Sequence, residues 1–443
     1  MVGIIRKLRN NREFTLAVVS AYGVLGLQVL TQLALVPLYL STLGKDGFGV
    51  LMVAISTVTI IRLGVDWLNG RMVRALGEIH ARTDAYAFAR AHSDFRLIFL
   101  TYGLVTGGIL AASGYFAPEV LVGGSARLAR EDVFACFVLM AVYSLVMQLQ
   151  LVEFAALAVR GRRVAINVLL ALSIVVFVAA VVPVLLLGGG LVGVAACLLL
   201  GVLVAYAGAF ILRLGQSRRA WSTATSPGHS AMARLRATVG ENGWAYATYG
   251  VLQFLLQSDV LLVGLLGGAE NAGHYVLFWK VAELIVMLIL RLSETLMLDL
   301  IRMDVGGDRA RLRRVFVEGL RIIGLLALAA GIGYALLGHW LVSLWVGADR
   351  APESALAYAL AGGSVFWLGI SRFAMIFAFS LVALRPLIVI AACETAGRLL
   401  LTVILFRWFG VLAPVIAINV VLGAGAAIAY ARLGWRLVSR PAT

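Results

Sequence analysis

The residues of this sequence able to do chemistry are charges set inside apolar runs. Arg62 and Asp66 stand four residues apart within 48–70. Lys280 and Glu283 are three apart, Arg291 and Glu294 three apart, and Glu394 and Arg398 four apart. Arg372 and Asp259 have no opposite charge within four residues along the chain. A guanidinium offers a planar fork of donors that fits phosphate oxygens two at a time. A carboxylate in an apolar setting could take up a proton or a Na⁺ ion, or bind a cation on a neighbouring helix. At three- and four-residue spacing the paired groups share one helix face, so each couple could equally be a structural ion pair, and Arg62, Arg291 and Arg372 could snorkel to headgroups.

The elements that position these groups follow from composition. Of 443 residues, 62% are hydrophobic and 13% charged, with mean hydropathy +0.98, far from the roughly half-apolar, quarter-charged mix of soluble domains. The chain reads as an all-α, polytopic membrane protein with about twelve transmembrane helices in two six-helix lobes. Spans are expected near 15–40, 48–70, 97–117, 133–159, 166–187, 191–212, 240–265, 274–297, 317–346, 354–382, 387–407 and 411–431, each about the 20 residues a bilayer demands. Helices satisfy their own backbone polar groups, and the alternating pattern of a barrel is absent. The run 15–40 is too long for a signal-peptide core and lacks a small-residue cleavage pattern, so it is read as a retained span.

Basic residues crowd alternate loops. Arg71, Arg74, Arg82, Arg90 and Arg96 flank one side, as do Arg160, Arg162 and Arg163, then Arg309, Arg311, Arg313 and Arg314, whereas the opposite loops hold Lys45, Arg127, Arg130, Arg350 and Arg407. By the positive-inside rule both termini are cytoplasmic. The net charge of +15 therefore reflects topology and attraction to anionic membrane lipids rather than nucleic acid. Glu153 is read as a headgroup-level residue at the inner interface.

Several functions are excluded. The longest polar segments, near 71–96 and 213–239, fall below the size of an independent domain, about 50 residues. There is no P-loop for ATP, and His80, His92, His229, His274 and His339 lack ligand spacing. Cys136, Cys197 and Cys393 sit in apolar runs as packing residues. No cofactor and no enzyme activity are expected, although coupling to a proton or Na⁺ gradient fits the acidic residues.

A loose repeat divides the chain. "LSTLGKDGFGVLMVA" echoes "LVGLLGGAENAGHYVLFWKVA", and "AYAGAFILRLG" echoes "AIAYARLG". Two parallel halves result: residues 1–212, a cytoplasmic linker 213–239 containing Pro227 and Gly228, and residues 240–443 with a cytoplasmic tail.

The first of these hairpins, "LALVPLYLSTLGKDGFGVLMVAISTVTIIRLGVDWLNGRMVRALGE", and the second, "LQSDVLLVGLLGGAENAGHYVLFWKVAE", together with twelve spans, resemble the lipid-linked oligosaccharide (O-antigen type) flippases of the multidrug/oligosaccharidyl-lipid/polysaccharide (MOP) exporter superfamily. The resemblance implies a V-shaped, two-lobed transporter of the bacterial inner membrane. Its cargo would be undecaprenyl-diphosphate-linked oligosaccharide, moved from the cytoplasmic to the periplasmic leaflet by alternating access, alongside polysaccharide polymerase machinery. Relatives that flip the peptidoglycan lipid precursor carry arginines in their first helix; Gln28 and Gln32 occupy that helix here.

Along their spans, Arg62, Arg291 and Arg372 lie roughly 21–27 Å below the outer ends, at 1.5 Å per residue, and Arg398 falls near the middle. Arg62, Arg291, Arg372 and Arg398 are thus the expected phosphate and sugar contacts. Asp66, Asp259, Lys280, Glu283, Glu294 and Glu394 are the expected ion-coupling or interlobe pairing groups, with Arg372 meeting either cargo phosphate or Asp259, and Asp259 meeting Arg372 or Lys280. A cation-coupled drug or metabolite antiporter of the multidrug-and-toxin extrusion (MATE) type, and a non-transporting membrane assembly factor, are the competing readings. The topology is tested by reporter fusions: green fluorescent protein after Thr443 should fluoresce and alkaline phosphatase there should be inactive, whereas phosphatase inserted at 347–353 should be active.

Overall fold

The computed structural model describes residues 12–82, 84–117, 119, 128–214, 258–305, 308–381 and 383–439, with isolated positions between 233 and 252. The linker 213–239 and the span expected at 240–265 lie almost entirely outside the described residues. Everything described is helix and turn: α1 (Arg12–Thr42), α2 (Gly44–Ala81), α3 (Ala85–Ala117), α4 (Arg130–Val159), α5 (Arg163–Leu186), α6 (Gly190–Leu214), α7 (Asp259–Val305), α8 (Arg309–Val346), α9 (Ala355–Ser380), α10 (Leu384–Phe409), α11 (Ala413–Val421) and α12 (Ala427–Val438). Among the described residues ten segments are long and apolar enough to cross a membrane. One of them, Leu384–Val438, contains two of the expected spans, divided at Gly410. Helices also outrun the apolar windows that located them. The window 97–117 is the apolar part of α3, which begins at Ala85, because hydropathy marks only the hydrocarbon stretch and the helix continues into the headgroup zone.

The chain folds as two compact units, residues 1–47 with 54–244, and residues 48–53 with 245–443. In the first, α1 packs on α5, α3 on α4, α4 on α6 and α5 on α6. Its core joins Val65, Met72 and Leu76 of α2 to Phe88, Phe95 and Phe99 of α3 and Val152 and Ala156 of α4. In the second, α8 and α9 pack on α7 and on each other, and α12 packs on α9. Ala374 and Ala378 of α9, Leu387 of α10, and Tyr430 and Leu437 of α12 form a further buried cluster.

Both echoed hairpins contain a glycine of positive φ. Gly44 separates α1 from α2 with φ +71°, and Gly268 breaks α7 with φ +81°. Both positions need the left-handed region that glycine enters without a Cβ penalty. Within the second unit the backbone of Ala269 then approaches Gly49 so closely that a Cβ there would lie 1.8 Å from the Ala269 carbonyl oxygen.

Close crossing also sets the α8–α9 contact. A Cβ on Gly362 would fall 2.3 Å from the Gly331 carbonyl oxygen, and one on Gly331 would fall 2.5 Å from that of Gly362. Small residues at such crossings let membrane helices gain packing where lipid supplies no hydrophobic drive. Gly362→Leu should therefore lower the melting temperature in detergent, with a cost of about 1–3 kcal/mol from overpacking or more if the helices separate. Gly333→Ala, at a helical position with nothing within 4 Å of the added Cβ, should leave it unchanged or raise it by the helix preference for alanine, about 0.5–1 kcal/mol.

Candidate functional site

Four of the ten charges singled out from the sequence converge in the second unit. Asp259 comes from α7, Arg372 from α9, and Glu394 and Arg398 from α10, with Tyr430 of α12 completing the group. Arg398 Nη2 donates to Asp259 Oδ2 at 2.7 Å. Its Nη1 lies 3.6 Å from Glu394 Oε1. That same oxygen accepts from Arg372 Nη2 at 3.2 Å, and Glu394 Oε2 accepts from the Tyr430 hydroxyl at 2.8 Å. Arg372 Nη1 also reaches Met375 Sδ at 3.3 Å. Glu394 is fully buried, and Asp259, Arg372 and Arg398 are all below a tenth exposed. The Tyr275 hydroxyl, buried beside Asp259, lines the same network from the far side of the Gly268 turn.

The local sequence explains these positions. Glu394 and Arg398 are one turn apart on α10, so their couple is local. Arg372 sits on a helix whose inward residues are mostly small or apolar, including Ala361, Gly362, Gly369, Ala374 and Ala378, which lets its long side chain cross to α10. A helix interrupted by wide turns at Leu422–Ala426 carries Tyr430 to Glu394 from the chain's end; an extra residue per turn resets the helical phase.

The geometry corrects one expected partnership. Asp259 pairs with Arg398 rather than with Arg372 or Lys280, because Arg372 is taken by Glu394. Lys280 instead meets Glu283 at 3.1 Å on the partly exposed face of α7. Arg62 is exposed on α2, within electrostatic reach of Tyr143 on α4. The side chains of Asp66, Arg291 and Glu294 lie outside the described residues. The second-unit network therefore holds two guanidiniums against two carboxylates. It balances its own charge and ties α7, α9, α10 and α12 together, and nothing in it calls for a further anion.

A second polar cluster, in the first unit, was not anticipated. Arg213 Nε donates to Glu153 Oε2 at 2.6 Å, and His92 Nε2 lies 3.4 Å from the same oxygen. All three residues are buried, Arg213 at 2% and His92 and Glu153 at 0%, so Glu153 forms an ion pair in the interior of the first unit. Arg96 Nη2 donates to the Tyr206 hydroxyl at 2.9 Å. The apolar windows stopped one residue short of both arginines, at 97 and at 212, and assigned them to loops; α3 and α6 in fact carry them. Among the described residues no group of three or more His, Cys, Asp or Glu side chains could hold a metal ion.

Opening the second-unit network should cost far more than its net contribution. Arg372→Ala leaves Glu394 buried with one cation fewer and should destabilise by about 3–5 kcal/mol, as for other broken buried pairs. Tyr430→Phe removes one hydrogen bond to a charged group and should cost about 1.5–3 kcal/mol. The pair Arg372→Met with Glu394→Gln should recover much of the loss, all three read as melting temperatures in detergent.

No protein-family model and no curated protein matches the chain. Solved structures do. An inward-facing multidrug resistance MATE family transporter of the MOP superfamily superposes with TM-score 0.74 at 14% identity, over 93% of this chain and 94% of its own. The MATE multidrug transporter DinF-BH gives 0.66 at 16% identity, over 95% of both chains. A MOP superfamily transporter from Pyrococcus furiosus, described as having a binding pocket of reverse polarity, gives 0.54 at 14% identity over 93% and 95%. With its ten candidate membrane spans and its all-helical architecture, the chain has the fold of the MATE-type transporters of the MOP superfamily.

Proposed function

We propose that this chain is a membrane transporter that flips an anionic, lipid-linked oligosaccharide, of the undecaprenyl-diphosphate type, by alternating access of two helical lobes. The observation that carries the reading is the character of its basic residues. Lys7, Lys45 and Lys280 are the only lysines among 37 basic side chains, the rest being arginine, and the net charge is +15. Topology alone asks only for positive charge, which lysine supplies as well. Arginine adds the bidentate fork suited to phosphate, and keeps its charge in apolar surroundings. Arg62, exposed on α2, is then the first-unit contact of the original set best placed to meet cargo.

In this scheme the inner membrane is the site of action and the termini face the cytoplasm. The sugar head and diphosphate enter from the cytoplasmic leaflet while the polyprenyl tail stays in lipid. Release follows on the outer side, where the loops carry fewer arginines. Glu394 and Asp259 are committed to Arg372 and Arg398, so ion coupling through either carboxylate requires its pair to open.

A second reading is a cation-coupled antiporter of drugs or metabolites, and the functions printed for the solved relatives, multidrug transporters, favour it. The Pyrococcus furiosus transporter, described as having reverse pocket polarity and a suggested different function, supports the view that this fold serves cargo of either sign.

Purified protein in vesicles separates the two. Labelled undecaprenyl-diphosphate oligosaccharide should become accessible to an added glycosidase in a protein-dependent manner, and Arg62→Ala should slow this by about 10-fold, the loss of one charge-assisted contact, with the melting temperature unchanged. Uptake of a cationic dye down an imposed proton gradient, with the labelled lipid remaining in its leaflet, would establish the antiporter instead.

A further inference from the structure

The helix α12 has two unlike faces. Ala427, Tyr430, Gly434, Leu437 and Val438 are buried. Ile428, Arg432, Trp435, Arg436 and Ser439 are exposed, and they fall at i, i+4, i+7, i+8 and i+11, along one side of a helix. The inner face is fixed to the rest of the second unit. Tyr430 donates to Glu394, and Gly434 lies against Phe316 of α8, where an added Cβ would stand 2.5 Å from the ring. Beside that contact the outer face begins: the guanidinium carbon of Arg313 on α8 sits 4.6 Å from the centroid of the Trp435 ring, a cation–π distance.

These contacts bring the first turns of α8 and the last turns of α12 to one end of the second unit. Arg311, Arg313 and Arg314 of α8 are exposed there, as are Arg432 and Arg436 of α12. The start of α10 reaches the same end, since Leu387 and Leu437 share a buried cluster. The acids of these segments are fewer. Over 299–321, 381–390 and 427–443 the sequence holds ten arginines against four acids, Asp299, Asp304, Asp308 and Glu318. Asp308 caps α8, accepting from the Arg311 backbone N–H at 3.1 Å, and Glu318 lies one turn from Arg314 and Arg321 on α8 itself. No acid stands on α12. This end is therefore positive however its acids are paired.

The position suits lipid headgroups. The span Arg309–Val346 has 38 residues, about 57 Å at 1.5 Å per residue against a hydrocarbon core of about 30 Å, so the charged turns at its start stand in the headgroup zone. Tryptophan favours that level. Ile428 lies about 10 Å deeper along α12, where acyl chains begin. We propose that Arg313, Arg432, Trp435 and Arg436 bind an anionic phospholipid, its headgroup among the guanidiniums and an acyl chain beside Ile428. A second copy of the chain suits this face poorly, because a two-fold contact would set the same arginines against one another. The site is independent of the cargo and holds for flippase and antiporter alike. Because the helix that carries it also delivers Tyr430 to Glu394, bound lipid stabilises the folded second unit by mass action.

Thermal unfolding of the full-length protein in neutral detergent, with phosphatidylglycerol or phosphatidylcholine titrated in, tests the site. Phosphatidylglycerol should raise the melting temperature at lower lipid concentration than phosphatidylcholine does. Arg432→Gln with Arg436→Gln should move the phosphatidylglycerol titration to about 10- to 30-fold higher lipid, the loss of two basic residues at an anionic surface. Arg407→Gln, an exposed arginine near the other end of α10, should stay within about 2-fold of wild type. Equal titrations of the two lipids in wild type overturn the site and leave the face to an acidic protein segment. A phosphatidylglycerol preference that survives intact in the double variant overturns it too. Where the glutamine pair fails to fold, tryptophan fluorescence decides. Phosphatidylglycerol with brominated acyl chains should quench the wild-type protein more than brominated phosphatidylcholine does, and Trp435→Phe should remove the excess. Equal quenching by the two lipids, or an excess unchanged in Trp435→Phe, would overturn the proposal.

Discussion

An arginine keeps its charge wherever the fold puts it. In a chain built from apolar helices this is the governing constraint: every guanidinium among the spans must meet a carboxylate, an anion or water, since an isolated charge near the bilayer centre costs about 2.5–3.5 kcal/mol even on the most lenient scales. Helices themselves are guaranteed by the solvent, which accepts no unpaired backbone group. What distinguishes this protein is how it answers for its arginines.

The two units answer differently. In the second, Arg372 and Arg398 are matched by Glu394 and Asp259, and the tyrosine hydroxyl of α12 takes up the remaining carboxylate oxygen. Such a balanced network is not a large source of net stability, since desolvation offsets most of its attraction; its consequence is that four helices keep one arrangement unless a pair opens. In the first unit Glu153 answers Arg213 and His92, while Arg96 and Arg160 are steadied by Tyr206 and by aromatic rings. Both networks arise in halves whose echoed hairpins turn at a glycine of positive φ, Gly44 and Gly268.

The sequence carried the membrane class and the helices in plain form, because a span is long and apolar, and the repeated hairpin only as a loose echo of the strings that hold Gly44 and Gly268. Couples on a single helix were also legible: Glu394 with Arg398, and Lys280 with Glu283, follow from helical spacing alone. Partners on different helices were not. Asp259 and Arg398 are 139 residues apart, and Glu153 and Arg213 are 60 apart. A membrane helix is apolar all round, so its pattern does not reveal which face turns inward, and without that rotation no interhelical pair can be read. Arg96 and Arg213 were hidden for another reason: hydropathy ends a span where the first charge appears, although the helix, and the protein interior around it, continue.

Native mass spectrometry of the protein released from its own membranes addresses the proposed cargo most directly, because a transporter of a lipid-linked diphosphate must bind an anionic head group. The account predicts retained adducts whose masses fit anionic lipids, lipid-linked diphosphates among them, held in preference to zwitterionic lipids present in excess. Protein that emerges without such adducts, or that holds neutral and anionic lipids alike, would contradict it.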